Sequence, residues 1–452
     1  MKRFQLLAKA VSLGAVLLVL MVGLSMIGGL ASERMGYRAQ AAASVRESLA
    51  GPQTIAGAVA TRRCTFTSEQ IIEKDKVKTI ERTDSTSVLK ALPQSARWIT
   101  SSKIEPRYRG LYKVNSFGLD ANSRIEWTNL KALAVPQFKA PVVAVSCEDA
   151  QIEFAVSDPR GVRNVTLKAG SSALTVQPNN HQEVFRSGFA AVLPASLGAL
   201  DAPLALELSM ELVGLESLGF VPLAVENSVT LKSNWPHPSF LGAFLPNPND
   251  RKATSAGFEV AWSVSSLASK SRTQLLKGAA MCDVRIASAN DTCLQSFGVD
   301  FIDPINPASL SDRATKYGIL FIVLTFAGIV LLEVLKGEAV HPVQYLLIGA
   351  AMAAFFLLLL SLSEHIAFVW AYVAAAVACV MLLTVYAKAA LGGWKRALPM
   401  SAGLGVLYGV LYLVLQSEQH ALLAGSLLVF AVLAGVMLMT RNVKWGRIHE
   451  SA

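Results

Sequence analysis

The chain is 452 residues long, 53% hydrophobic and 16% charged, with a formal net charge of +9. A basic excess raises nucleic-acid binding, but no stretch interleaves Lys and Arg with aromatic residues, and nucleic acid is excluded as a partner. Six long apolar stretches also exclude an ordinary soluble globule.

Residues 10–32 form the first stretch free of Lys, Arg, Asp and Glu, longer than the roughly 18 apolar residues that mark a bilayer-spanning helix. Small residues at 29–31 and 39–41 offer cleavage-like spacing, yet the uncharged run from Ala10 through Ala31 exceeds the apolar core of a secretory signal. An uncleaved anchor over residues 10–31 is expected, preceded by residues 1–9. Residues 33–50, rich in Ala, Arg and Glu, continue it as a helical stalk until Gly51-Pro52 breaks it.

The polar region, residues 32–316, reads as a large β-rich domain. Residues 162–167 and 173–176 alternate apolar and polar on either side of Ala169-Gly170-Ser171-Ser172, a hairpin pattern. Residues 151–156, 204–212, 228–232 and parts of 125–143 alternate likewise. A mainly antiparallel β-sandwich is expected, or a pair of them meeting near residues 145–160. Cys64, Cys147, Cys282 and Cys293 are an even set within this region, as a disulfide framework requires. Cys282 and Cys293 enclose a short loop and are the first candidate pair, which leaves Cys64 for Cys147. Other connectivities, and free buried thiols, stay open. Cys379 falls in an apolar stretch, where a small packing residue is expected.

An active site needs a nucleophile with its base and oxyanion donors, or a metal-ligand cluster. The six histidines, His181, His237, His341, His365, His420 and His449, are scattered, with no zinc-protease spacing. Cys-x-x-Cys, Gly-x-Ser-x-Gly and phosphate-loop motifs are missing as well. No catalytic, cofactor-binding or metal-binding residue is assigned, and the chain is not expected to be an enzyme.

Residues 233–242 stand out. Pro236 and Pro238 fix φ and remove backbone donors, and the stretch sets Asn234, Trp235, His237 and Phe240 after a strand. Two readings fit: a recognition loop facing a partner, or a proline-locked crossover whose aromatics plug the base of the domain. Asp312, Arg313, Lys316 and Tyr317 then precede the second apolar stretch. Asp312 is placed to cap that helix, and Tyr317 suits the interfacial belt. Arg313 and Lys316 suggest pairing with Glu364, beside His365, or with Glu418; ordinary interface anchoring is the plainer reading.

Uncharged or nearly uncharged stretches at 317–332, 342–363, 366–387, 397–417 and 419–440 make a C-terminal bundle of five transmembrane helices over residues 317–440, followed by residues 441–452. Lys and Arg flanking spans are retained in the cytoplasm. They fall at residues 2–9, at Lys336, at Lys388, Lys395 and Arg396, and at Arg441, Lys444 and Arg447, while the turns at 363–365 and 416–420 carry none. Both termini are therefore expected inside and the large domain outside. Ten inner Lys and Arg against Glu338 and Glu450 account for most of the +9. Glu333 is the one acid within a span, and a solute or ion path needs several polar groups at depth. Gly405 and Gly409 have the spacing of a close helix contact.

Five strings taken together resemble the CreD family, inner-membrane cell-envelope integrity proteins of Gram-negative bacteria. They are SNWPHPSFLGAFLP (residues 233–246), DRATKYGILFIVLTF (312–326), HPVQYLLIG (341–349), LLLLSLSEH (357–365) and TRNVKW (440–445). The anchor followed by Gly51-Pro52-Gln53 fits too. The resemblance covers the whole chain and is sharpest from residue 233 onward. It implies two-component control and association with envelope stress, β-lactam response and colicin tolerance, and it brings no reaction, cofactor or defined site. The expected function is non-enzymatic support of envelope integrity. The partners would be the lipid bilayer and an envelope component (peptidoglycan, lipid or protein). A small-solute transporter or ion channel, and a periplasmic envelope-modifying enzyme, are the alternatives.

Overall fold

This computed structural model describes residues 2–74, 77–136, 142–179, 184–194, 197, 199–287, 292–303, 307–336, 340–390, 393–416 and 421–440. α1 (Lys2–Ser48) is one helix of 47 residues. The strands that follow are β1 (Gln53–Lys74), β2 (Val77–Ala91), β3 (Ser95–Arg109), β4 (Tyr112–Trp127), β5 (Val142–Cys147), β6 (Gln151–Val156), β7 (Val162–Ala169) and β8 (Ser172–Leu174). Next come β9 (Val176–Pro178), β10 (Gly188–Val192), β11 (Leu204–Leu215), β12 (Ser217–Val221), β13 (Glu226–Ser233), β14 (Ser239–Gly242), β15 (Arg251–Thr254) and β16 (Gly257–Ser265). Two short helices, α2 (Ser271–Leu276) and α3 (Val284–Ala287), precede β17 (Phe297–Asp300). Five longer helices end the chain: α4 (Pro307–Lys336), α5 (Pro342–Ser363), α6 (Phe368–Ala390), α7 (Trp394–Gln416) and α8 (Ala421–Thr440). The chain divides into a β unit, Gln40–Pro304, and a helical unit of Met1–Ala39 with Ile305–Ala452.

The β unit is two sheets with their apolar faces together. One runs β15-β16-β13-β3-β4-β11-β7-β8; the other runs β14-β17-β12-β1-β6-β10-β9, with β2 and β5 also on β1. Period-two patterning explains the inner face. In β11, Leu204, Leu206, Leu208, Met210 and Leu212 are buried while Glu207, Ser209 and Glu211 face outward. Rings from the two sheets meet as Trp98–Phe220 and Trp262–Phe297, 6.1 and 5.4 Å apart. Pairing is antiparallel except at β1–β12 and β3–β13. β6, within residues 145–160, pairs with β1 from before them, and β11, after them, pairs with β4. Within 125–143 the strand ends at Trp127, and a single 3-10 turn at Lys131–Leu133 follows. The hairpin around Gly170 pairs Leu167 with Leu174 across a turn with φ +57°. Two longer hairpins, β1–β2 and β3–β4, had no counterpart among the expected strands.

In the helical unit, α1, α4, α5, α6 and α7 are long and apolar enough to cross a membrane. α8 adds 20 residues without a charged side chain. α4 begins at Pro307, ten residues ahead of its apolar stretch, so Asp312 lies inside the helix rather than at its cap. Within this unit α1 runs close against α5: a Cβ on Gly349 would sit 2.2 Å from Leu20 Cδ1. At Gly405 and Gly409 nothing described lies within 4 Å of where a Cβ would be. Those glycines therefore mark no close contact among the described residues.

Candidate functional site

The proline-rich segment carries the chain from one sheet to the other. β13 ends at Ser233 in the eight-stranded sheet, and β14 starts at Ser239 in the nine-stranded one. Asn234 anchors the exit: its Oδ1 accepts from Ile104 N at 2.8 Å, on neighbouring β3. Trp235 is buried, 8% exposed, and donates Nε1–H to the His237 carbonyl at 2.8 Å. Lys113 Nζ stands 5.9 Å from the centre of the indole. Phe240 meets Phe258 and Trp262 edge-on, 5.9 and 5.8 Å away. Pro236 and Pro238 are half-buried between them, and His237 is exposed. The segment crosses between the sheets, with Trp235 in the core of the β unit and Phe240, partly buried, packed against that core.

Beside this crossover is a charged cluster that the spacing of residues gave no reason to expect. Glu216 turns the chain between β11 and β12 with φ 62°, an uncommon conformation for a residue with a side chain. Two backbone bonds and one from a side chain hold that corner: Glu216 N to Asn115 O, Phe301 N to Glu216 O, and Asn115 Nδ2 to Phe301 O, at 3.1, 2.7 and 2.7 Å. The Glu216 carboxylate accepts from Arg285 Nη1 at 3.2 Å, and Arg46 Nη2 lies 3.7 Å away. Arg285 also forks onto Asp283, 2.9 Å from its Oδ2, while Ser217 Oγ donates to the other oxygen. Burial pushes Asp283 upward, but the Arg285 hydrogen bonds outweigh it and hold the carboxyl below its ordinary value. Asp300 completes the group at the end of β17. It is 7% exposed, and its Oδ1 has no hydrogen-bond partner among the described residues. Burial pushes it up to about 6 against the pull of Arg285, with Glu216 and Asp283 adding to the rise.

Both disulfides brace the β unit. Cys282 is bonded to Cys293, with Cα atoms 5.7 Å apart. That loop carries Asp283 and Arg285 into the cluster, and Thr54 Oγ1 donates to the Cys282 carbonyl at 3.0 Å. Cys64 is bonded to Cys147, Cα atoms 4.1 Å apart, which ties β5 to β1. Beyond Cys64, β1 continues with β2 as a long hairpin arm, paired from Ala60↔Ala91 to Lys74↔Val77. Among the described residues, β2 and β5 each pair with β1 alone. Ile80, Val143 and Val145 on these outer strands are exposed.

The stalk end of α1 is received by Arg160. Its Nη1 and Nη2 donate to the carbonyls of Glu47 and Arg46 at 2.8 and 3.2 Å, satisfying helix-terminal acceptors. Asp158 holds Arg160 by a fork and accepts from Gly51 N at 2.8 Å. Arg160 keeps the Asp158 carboxyl below its usual range, burial opposing.

In the helical unit, Glu333 accepts from Lys9 Nζ, from Tyr345 OH at 3.1 Å and from Val340 N at 3.3 Å. Lys9 belongs to α1, so this ion pair joins α1 to α4 within the helical unit. A cavity of about 430 Å³ lined by Lys9, Ser12 and His341 adjoins the pair. Glu364 pairs with Arg34 at 3.3 Å, and Lys316 pairs with Asp312 one turn back at 2.7 Å. Lys316 thus pairs within its own helix, while Glu364 pairs with a residue of α1. Glu418, the other proposed partner, lies outside the described residues, as do Arg441, Lys444 and Arg447. Tyr317 is half-buried and His365 exposed. The HPVQ string is a capping box: His341 Nδ1 accepts from Val343 N, and Gln344 Oε1 accepts from His341 N. Tyr372 OH donates to the Tyr408 carbonyl, and Tyr408 OH meets Cys379 Sγ at 3.2 Å. Among the described residues, no group of three or more His, Cys, Asp or Glu is arranged to hold a metal ion.

Comparison with known proteins bears on these arrangements. A family model described as inner membrane protein CreD matches residues 5–446. An Escherichia coli K12 protein named inner membrane protein CreD is 32% identical over 445 residues, covering 97% of this chain and 93% of that protein.

Proposed function

Since the chain belongs to the CreD family of inner membrane proteins, we propose that it supports envelope integrity without catalysis, by displaying its β unit in the periplasm to contact an envelope component. Termini on the cytoplasmic side follow from the distribution of Lys and Arg around the spans. The observation that carries the reading is the arm. β1 is 22 residues long, with its first half in the core and its second half in the outlying hairpin. A strand edge with unpaired backbone groups is a template for adding a strand from a protein partner.

Two measurements test this. A photoreactive residue at Ile80 or Val143 in intact cells should form an adduct with an envelope protein, while the same residue at Leu267, 98% exposed, should not. Clean absence of adducts along both outer strands would overturn the contact. A reporter fused near residue 200 should be active in the periplasm; activity confined to the cytoplasm would overturn the orientation.

A further inference from the structure

A different surface of the β unit points to a second kind of contact. Within that unit, both chain connections leave at one end. There the last turn of α1 packs Val45 on Val114 and Leu215, and Lys113 Nζ pairs with Asp303 at 3.2 Å. The β3–β4 turn projects from the same end: Arg109 and Tyr112 close the ladder around Gly110, whose φ is +58°. Apolar side chains at a hairpin tip are unusual, since tips are normally polar. Here Tyr108 is 65% exposed and Leu111 60% exposed. Arg109 Nη2 reaches Ser48 Oγ at 3.5 Å and meets no carboxylate within 4 Å among the described residues. Arg107 and Lys113 add positive charge, with Glu105 and Asp303 as their counterions.

We propose that the β3–β4 tip, Tyr108 to Tyr112, seats on a bilayer surface, with Tyr108 and Leu111 at the boundary of headgroup and acyl chain and Arg109 on an anionic headgroup. Tyr beside Leu and Arg is the mixture that the membrane interface selects. The chain leaves the β unit at this same end for helices that are long and apolar enough to cross a membrane. A single basic group near an anionic surface contributes on the order of 1 kcal/mol, so this is a positioning contact rather than an anchor. It is independent of the arm and of which side of the membrane the unit faces.

The test uses the full chain in nanodiscs, with Cys379→Ala and an environment-sensitive fluorophore on Leu111→Cys. The control carries the same fluorophore on Leu267→Cys. Leu267 lies at the other end of the unit, next to the Glu226↔Ser265 and Glu226↔Ser95 pairs that open β3, about 45 Å of strand away. In bilayers of phosphatidylcholine with phosphatidylglycerol whose acyl chains are brominated, emission at residue 111 should be blue-shifted and quenched roughly threefold more than at residue 267. Arg109→Gln should reduce that quenching, as should omission of phosphatidylglycerol. Equal quenching at the two positions overturns the proposal. So does quenching at residue 111 that ignores both headgroup charge and Arg109→Gln. Neither outcome touches adduct formation at the arm, so the two readings fail separately.

Discussion

Asp300 shows how burial turns one carboxyl into a titrating element. Its unfolded value is near 3.9, and burial raises it to about 6 in the folded unit. The folded state therefore binds the proton more tightly. The stability this proton provides is complete below about pH 4 and is lost as pH rises through 6. Asp300→Asn removes the charge and should raise the thermal midpoint at pH 7.5, by up to about 3 kcal/mol of stability. The difference from wild type should vanish near pH 4. A variant that is less stable at every pH would mean that Arg285 needs the charge. Trp235 and His237 make a contrasting pair. Trp235→Ala opens the core and should cost about 3–5 kcal/mol by chemical denaturation, whereas His237→Ala, at an exposed position, should stay within about 0.5 kcal/mol. Sequence spacing singled out both residues but could not rank them. What separates them is which way each side chain faces across the crossover.

At the scale of elements, the most consequential join is the end of α1. Arg160 bonds the last carbonyls of that helix and is itself held by Asp158. Arg160→Ala should therefore speed amide exchange severalfold over residues 45–51 while leaving β11 protected, measured by hydrogen exchange. This clamp was not legible in the sequence, because Asp158-Pro159-Arg160 reads as a turn and its partners lie more than a hundred residues away. The alternating strands β11 and β13 were legible for the opposite reason: each has one buried and one more exposed face. The β1–β2 arm was missed, although its run of Thr65, Thr67, Thr79, Thr83 and Thr86 is strand-prone. Such a hairpin buries little, so hydrophobic alternation fades along it.

For the molecule as a whole, the apolar helices were the easiest part to foresee, since an uncharged run of that length has few other uses. The order of strands in the two sheets was beyond reach. The parallel pairs β1–β12 and β3–β13 join residues more than a hundred positions apart, and no local pattern encodes that. The principal core clusters of the β unit lie wholly within residues 40–304. Residues 40–304 secreted alone into an oxidising compartment should accordingly fold with both disulfides formed, shown by dispersed amide resonances and cooperative unfolding. Failure of that piece to fold would mean that the helical unit supplies part of the β fold. One further property follows from β1 belonging to core and arm alike. A tug on the hairpin tip would load its ladder with β12 lengthwise, all bonds bearing the strain together rather than one after another. The Cys64–Cys147 link stands where the outlying half begins, like a rivet at the root of a lever, so pulling is resisted first by covalent bonds and only then by hydrogen bonds.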